Sequence, residues 1–181
     1  MRELALNILD IVENSVKAKA SLVKIDVIAK DNDLTISVED DGCGMDEEFL
    51  RRVTDPFTTT RTTRKVGMGI PLFKMAAEMT GGSFSIESQK GVGTKTSATF
   101  KIDSIDRAPL GDLGESISTL LSDEIPTEFL LTVEVDGNKF EFDTRELKAE
   151  LDGVSVAEPE VILFVKDMIK ENIKGIGGAK L

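Results

Sequence analysis

A carboxylate, an amide and an ammonium group are spaced along one face of a predicted N-terminal helix. Asp10 and Asn14 are four residues apart and Lys17 follows three residues later, so the three side chains share a face. Oxygen ligands of this kind can hold Mg²⁺ when substrate phosphates complete its shell, and an ammonium group attracts phosphate. The stripe therefore indicates a site for Mg²⁺ and phosphates, or else only the solvated face of an amphipathic helix.

An acidic loop rich in glycine, Asp40-Asp41-Gly42-Cys43-Gly44, follows a predicted strand. A carboxylate at a strand end can accept a hydrogen bond from an adenine amino group and discriminate against bases that lack this donor. Glycine allows the backbone to approach the ring closely. The alternative is a tight acidic turn; a calcium loop is excluded because the carboxylate required at its twelfth position is missing.

Two further glycine segments suit the binding of an anion. Gly67 and Gly69 open a predicted helix, whose first N–H groups would face the anion. Gly91-Val92-Gly93-Thr94 is a predicted hairpin turn that could offer the Thr94 hydroxyl to the same ligand. Each segment alone is a weak indication, whereas all four segments in this order are far more specific.

Hydrophobic periodicity predicts the elements that must position these residues. Strand pairs joined by short turns dominate, with helices between them, which predicts an α+β fold. We expect a two-layer α/β sandwich in which helices cover one face of an antiparallel-rich sheet. The predicted elements are helices at 2–17, 46–53 and 67–80, and strands at 22–29, 34–38, 83–89 and 94–102.

The charge is unevenly distributed along the chain. Residues 1–104 hold 14 basic and 16 acidic residues, a net charge of −2, whereas residues 105–181 hold 8 and 17, a net charge of −9. The shift predicts a first domain at 1–104 and a small acidic α+β extension at 105–181, of unknown role. Its predicted elements are a linker at 103–111, helices at 112–122, from Thr144 and at 158–173, a hairpin around Asp136-Gly137 and a frayed end at 175–178.

Composition excludes several classes of protein. A net charge of −11 disfavours nucleic acid as a partner, because phosphate contacts need clustered Lys and Arg. A single cysteine, Cys43, precludes an intramolecular disulfide and suits a reducing cytosol. Neither a secretion signal nor an apolar run of membrane-spanning length is visible, so we expect a cytoplasmic protein without membrane contact. The sequence has no histidine, which excludes imidazole chemistry within these residues.

The four segments together resemble the GHKL superfamily, the ATPase domain shared by gyrase, the heat-shock chaperone, histidine kinases and MutL proteins. The histidine kinase-like branch is the most similar. The motifs that carry the resemblance are DDGCGM at 40–45, DPFTTT at 55–60, VGMGIPLFKMAAEMTGG at 66–82 and KGVGT at 90–94. The resemblance covers about residues 2–102 and implies a Bergerat-type fold that binds ATP and Mg²⁺.

On the adenine side, the resemblance assigns roles to five positions. Asp40 would bond the adenine amino group, and Gly42 and Gly44 would pass close to the base. Met45 would pack on the ring, and Thr94 would support the hydrogen bonds around adenine through water.

On the phosphate side, the resemblance implies that Asn14 coordinates Mg²⁺ and Lys17 touches phosphate. Gly67 and Gly69 would hold the phosphates under a lid at 58–66. Phe57 would anchor the hinge side of this lid. The lid contains three cations, Arg61, Arg64 and Lys65, which either contact the γ-phosphate or only keep the loop soluble.

The family's general base is usually a glutamate four residues before the Asn, and this sequence has Asp10 there, one methylene shorter. Glu13 is nearer to Asn14 but points about 100° away on a helix, so Asp10 is the expected base. Cys43 is interpreted as a small buried residue, with redox sensing as the alternative.

Three functions fit these observations. The first is a protein kinase that phosphorylates a Ser, Thr or His of a separate partner, as anti-sigma factor kinases do, and the carboxylate at position 10 favours it. The expected chain start at the first helix and the missing histidine leave no phosphoacceptor in this chain. The second is a switch whose ATP-ordered form a partner binds, favoured by the missing phosphoacceptor and the acidic extension. The third is an ATPase, either a slow one or one of the MutL or gyrase type, and the short lid and the absence of a transducer domain count against the latter. A homodimer is possible.

Overall fold

Six α-helices and six strands form the regular structure of residues 2–55 and 67–181, the part of the chain that the computed structural model describes. A short 3-10 helix follows at Gly178–Lys180. In chain order the elements are α1 Leu4–Lys17, β1 Leu22–Lys30, β2 Asp33–Asp40, α2 Glu47–Arg52, α3 Gly69–Met79, β3 Ser83–Gln89, β4 Gly93–Lys101, α4 Leu113–Ser118, β5 Glu128–Val135, β6 Asn138–Asp143, α5 Thr144–Leu151 and α6 Pro159–Gly175.

All six strands belong to one sheet in the order β3-β4-β2-β1-β5-β6. Four of the five pairings are antiparallel, and β1 and β5 are parallel. The register aligns Val23 with Asp40 and with Phe129, which fixes the face on which every side chain of these strands lies. The predicted α+β sandwich with an antiparallel-rich sheet is confirmed.

The core lies on the face of the sheet that the helices cover. Alternate residues of the central strand β1, from Val23 to Ala29, are fully buried, whereas Lys24 on the opposite face is exposed. Helix α1 adds Leu4 and Ile8, two fully buried residues at helical spacing. Because the buried stripe of α1 faces the sheet, its polar stripe is left at the edge of the layer, where a ligand can reach it.

Helix α3 is held to the sheet by aromatic packing. The ring of Phe73 lies 5.5 Å from the ring of Phe100 on β4 and 6.4 Å from the ring of Phe84 on β3. Gly81 adopts a positive φ of 80° and ends the helix, as the sequence predicts. These contacts hold α3 against β3 and β4.

The C-terminal residues extend the same sheet. Strand β5 pairs with β1, and β6 forms the new edge beyond it. The turn at Asp136-Gly137 has φ values of 49° and 88°, so the predicted hairpin is confirmed. The predicted helix at 112–122 is shorter, Leu113–Ser118, and the side chain of Asp112 accepts a hydrogen bond from Glu115 N at 2.8 Å to cap it. Whether 105–181 is a separate domain stays a prediction.

The prediction of a frayed end at 175–178 is wrong. Helix α6 continues to Gly175, and the side chain of Leu181 is only 8% exposed. The Leu181 carbonyl accepts hydrogen bonds from Leu110 N at 3.1 Å and from Arg107 Nη1 at 3.2 Å. These bonds and the burial of Leu181 offset the entropy that the glycines would otherwise retain. At 17 residues α6 is the longest described helix, and none in 2–55 or 67–181 has the length and apolar character needed to cross a bilayer.

Candidate nucleotide-binding site

Asp10 lies where α1 meets the first turn of α3. A β-carbon added at Gly69 would be 2.9 Å from the Cβ of Asp10, closer than real side chains approach. Arg2 Nη2 donates a hydrogen bond to Asp10 Oδ2 at 2.7 Å, and the Asp10 side chain is 34% exposed. Glycine at 69 is therefore needed for close packing, and the fold brings the first and third predicted segments together.

Asn14 lies one turn further along α1 and is half-buried. Among residues 2–55 and 67–181, its side-chain amide has no hydrogen-bond partner, which suits a group that binds a ligand. No cluster of three carboxylate or cysteine side chains in the described ranges forms a metal site of its own. Mg²⁺ would thus depend on Asn14 and on phosphate oxygens, which is how Mg²⁺ commonly binds.

Lys17 and Gly67 are both exposed. Within the described part of the chain, Lys17 has no ion-pair partner and no atom lies within 4 Å of a β-carbon at Gly67. The structure does not bring either residue into contact with the other predicted segments, so their phosphate roles stay predictions. Phe57 and the predicted lid at 58–66, with its three cations, lie outside the described residues.

The carboxylate of Asp40 is held by two short hydrogen bonds. Ser15 on α1 donates its hydroxyl hydrogen to Asp40 Oδ2 at 2.6 Å, and Gly42 N donates to Asp40 Oδ1 at 2.9 Å. A carboxylate has about four acceptor positions, so capacity remains for a ligand donor. The two bonds fix the direction in which that capacity faces, and they connect the first and second segments.

Close packing explains the glycines of the acidic loop. A β-carbon at Gly42 would lie 2.9 Å from Cβ and O of Ala18, and Cys43 N donates to the same carbonyl at 3.0 Å. Gly44 has a φ of +64°, and its β-carbon would lie 2.0 Å from the Gln89 carbonyl oxygen. The loop is thus pressed between the end of α1 and the β3–β4 turn. The thiol of Cys43 is exposed, so its interpretation as a buried residue is wrong.

A serine links the acidic loop to the fourth segment. Met45 N donates to Ser88 Oγ at 2.8 Å, and Ser88 Oγ and Thr94 Oγ1 are 2.8 Å apart. Thr94 on β4 is the register partner of Asp40 on β2. The first, second and fourth predicted segments therefore meet at the carboxyl end of β2, on the helix-covered side of the sheet, and the third contacts the first where Gly69 packs on Asp10.

A comparison with known proteins shows the family of this chain. The profile of the histidine kinase-, DNA gyrase B- and HSP90-like ATPases matches residues 2–104, more than half of the chain, and includes every predicted site residue. The chain belongs to this ATPase family.

The chain is similar to sensor proteins and to kinases. A putative sensor protein of Shewanella frigidimarina is 28% identical over 103 residues, covering 56% of this chain and 16% of that protein. A sensor-like histidine kinase of Rhizobium meliloti is 31% identical over 103 residues, covering 53% and 20%. Sporulation kinase C of Bacillus subtilis is 31% identical over 88 residues, covering 48% and 20%. The chain thus spans at most a fifth of these three relatives.

Two residues of this histidine kinase-like site were not predicted from the sequence. Ser15 and Ser88 belong to no metal- or phosphate-binding motif. Ser15 positions Asp40 through a hydrogen bond, and Ser88 positions Met45 and Thr94 in the same way. The signal for Ser15 is a hydroxyl directly after Asn14, on the buried side of the helix. Ser88 has a weaker signal, since it is one of three serines on β3; it shares the partly buried face with Phe84 and Ile86, whereas Ser83 and Ser85 lie on the exposed face.

A depression of about 520 Å³ opens at the same end of the sheet and adjoins this edge. The outer-face residues Lys24, Glu39, Glu87 and Lys95 line it together with Asp40, Asp41, Ser88, Gly93 and Thr94. The side chains that hold Asp40, and the contact of Asp10 with Gly69, all lie on the helix side. The candidate site of this ATPase domain is therefore the helix-side edge, which the depression adjoins at Asp40, Ser88 and Thr94.

Asp41 anchors the acidic loop to the start of β1. Its Oδ1 accepts from Leu22 N at 3.0 Å and from Ser21 N at 2.7 Å, and its Oδ2 accepts from the Ser21 hydroxyl. These hydrogen bonds, led by that from Leu22, lower the pKa of Asp41 below its ordinary value. A depressed pKa in the folded state means that the ionised form stabilises the fold.

Asp41→Asn is expected to remove an acid-sensitive part of the stability. The contribution of Asp41 is present above its ordinary pKa near 3.8 and is lost as the pH falls through the lower folded pKa. At pH 7 the free energy of unfolding of the variant should be lower than that of the wild type by about 1 kcal/mol, because solvent screening limits the contribution of Asp41. This difference should disappear in acid. Urea unfolding at pH 7, 4 and 3 measures it, and a gap that stays constant with pH would contradict this role.

Proposed function

We propose that this domain binds Mg²⁺–ATP at the edge between α1, α3 and the end of β2 and transfers the γ-phosphoryl group to a separate protein. The observation that carries the proposal is the fixed carboxylate of Asp40, aimed by Ser15 and Gly42 at the helix-side edge. The sensor kinase relatives support transfer to protein, as histidine kinases perform it. The 181 residues contain no histidine, so an imidazole acceptor would have to lie outside them.

Each end of the proposed site has its own task. At the adenine end, Asp40 would accept a hydrogen bond from the exocyclic amino group, which selects adenine. At the phosphate end, Asn14 would hold Mg²⁺, and the amides at the beginning of α3 would face the phosphates. ATP supplies the phosphoryl group, and Mg²⁺ would neutralise part of the charge on its phosphates.

Asp10 is proposed as the general base. Its carboxylate would accept the proton of an acceptor hydroxyl, or the proton on the non-attacking nitrogen of an imidazole. The attacking oxygen or nitrogen would meanwhile bond to the γ-phosphorus, and the bond from this phosphorus to the ADP oxygen would break. The contact with Gly69 places Asp10 beside the N-terminus of α3, where the phosphates are proposed to bind. The carboxylate is held toward one side by Arg2.

Asp10→Asn is expected to reduce ATP turnover by about a hundredfold or more, because general-base catalysis typically contributes that factor. The affinity for a non-hydrolysable ATP analogue should change little, since Asp10 is not proposed to bind the nucleotide. The test measures ADP release by the wild type and the variant in the absence of a partner protein. Water is then the phosphoryl acceptor, so the rate of ATP hydrolysis reports on Asp10 as the base. Loss of analogue affinity with unchanged turnover would assign Asp10 to binding instead.

A nucleotide-dependent switch with little turnover is the second candidate. The ion pair of Arg2 with Asp10 favours it, because the expected base already has a cationic partner at 2.7 Å. In such a switch, ATP would stabilise one conformation that a partner recognises. Arg2→Ala separates the two functions, since faster turnover in this variant would indicate that Arg2 restrains Asp10, and no turnover in either form would favour the switch.

A further inference from the structure

Helix α6 carries an apolar surface that no other part of the described chain covers. Its inner side buries Val165 and Ile169 completely, so the helix is firmly attached. On its outer side Leu163 is 58% and Phe164 is 61% exposed, and together with Met168 they line a shallow groove of about 410 Å³. Exposed aromatic and aliphatic side chains in one place are typical of interaction sites.

Acidic side chains run along the middle of this surface. At 100° per residue, Glu160, Asp167 and Glu171 fall within about 20° of one line, with Leu163 on one side and Phe164 on the other. Within residues 2–55 and 67–181, none of the three carboxylates has an ion-pair or hydrogen-bond partner. Asp167 and Glu171 are four residues apart, so they repel each other in the free protein.

The lysines of α6 mostly do not neutralise this stripe. Lys166 lies 3.7 Å from Glu115, and Lys170 lies 3.7 Å from Asp112, both on the side that faces α4. Only Lys174, at the C-terminal end of the helix, shares the outer face. The surface therefore combines apolar contacts with a net negative charge, which Lys174 offsets only in part.

We propose that this face of α6 binds a basic amphipathic helix of a partner protein. Apolar residues of such a helix would pack against Leu163, Phe164 and Met168, while its Lys or Arg side chains would pair with the acidic stripe. A second copy of this chain is a poor occupant, because two acidic stripes would face each other across a two-fold axis. The proposed docking surface shares no residue with the candidate nucleotide site.

The test uses a synthetic Leu/Lys peptide whose leucines recur every three to four residues, and a scrambled peptide of the same composition. The full chain is expected to bind the amphipathic peptide about tenfold more tightly than the scrambled one. Phe164→Ala and Asp167→Lys/Glu171→Lys should each weaken this binding about tenfold. Fluorescence anisotropy of labelled peptides, with circular dichroism of every variant, provides the measurement.

Matched controls distinguish binding at this α6 surface from non-specific binding caused by net charge or by exposed apolar side chains elsewhere. Glu146→Lys/Glu150→Lys changes two exposed acids at the same spacing on α5, and Ile105→Ala removes an apolar side chain that is 93% exposed. Both should bind the amphipathic peptide as the wild type does. Equal affinity for the two peptides, equal loss in the controls, or a wild-type dimer that Phe164→Ala dissociates in sedimentation would each overturn the proposal.

Discussion

Asp40→Asn is expected to weaken binding of a non-hydrolysable ATP analogue by roughly ten- to hundredfold, the effect of losing a hydrogen bond to a charged group. The local structure should survive, because the Asn oxygen can still accept from Gly42 N and the new amide can donate to Ser15 Oγ. The substitution changes the group that faces the adenine ring, because a carboxylate only accepts hydrogen bonds whereas an amide also donates them. Calorimetric titration with and without Mg²⁺ measures the loss.

The neighbouring Asp41→Asn is the matched control, since it removes the same charge one residue later. Asp41 points to Ser21 and Leu22, so its loss should affect acid stability and leave nucleotide affinity nearly unchanged. Inosine triphosphate, which lacks the amino group, adds a second readout. The preference of the wild type for ATP over inosine triphosphate should fall in Asp40→Asn; equal loss with both nucleotides would place Asp40 away from the base.

Gly93→Ala is expected to be the most disruptive single methyl addition at the site. Gly93 has a φ of +144°, and its β-carbon would lie 1.9 Å from the carbonyl oxygen of Asp40. The end of β2 would have to move away from β4, which takes Asp40 out of its position between Ser15 and Gly42. We expect a loss of at least about 3 kcal/mol in the free energy of unfolding, with nucleotide binding lost as well.

Gly91→Ala in the same turn serves as the comparison. Gly91 also has a positive φ, +81°, but its β-carbon would meet no described atom within 4 Å. This variant should therefore show only the cost of the left-handed conformation, about 1 kcal/mol, and retain nucleotide affinity. Urea unfolding of both variants, followed by analogue titration, gives the answer. Similar losses in the two variants would mean that the conformation, and not the contact with Asp40, makes glycine necessary.

Local patterns were sufficient to predict several elements. The alternation along β1 and β2 and the Asp136-Gly137 turn act over a few residues, so the sequence specifies them directly. The C-terminal end of α3 before Gly81 also depends only on neighbouring residues. The motifs of the first 104 residues also identified the ATPase family, because their order along the chain is itself the signal.

Contacts between distant residues escaped prediction. The bond from Ser15 to Asp40 joins residues 25 apart, and the parallel pairing of Leu22 with Glu128 joins strands separated by most of the chain. A hairpin pattern at 129–142 predicts strands but does not say which edge they join. The burial of Leu181 likewise depends on Arg107 and Leu110, so a glycine-rich segment that resembles a frayed end is ordered.

Patterns along the chain are sufficient to predict the class of fold, the order of the nucleotide-binding segments and the types of group that each could offer. Which groups meet depends on the three-dimensional packing, which brings together Asp10 with Gly69, Asp40 with Ser15, and Thr94 with Ser88. The same packing leaves an acidic, apolar face of α6 uncovered while Lys166 and Lys170 turn toward α4. The physical reason is that periodicity fixes only the face of an element on which a side chain lies, whereas partners across elements follow from sheet order, register and packing.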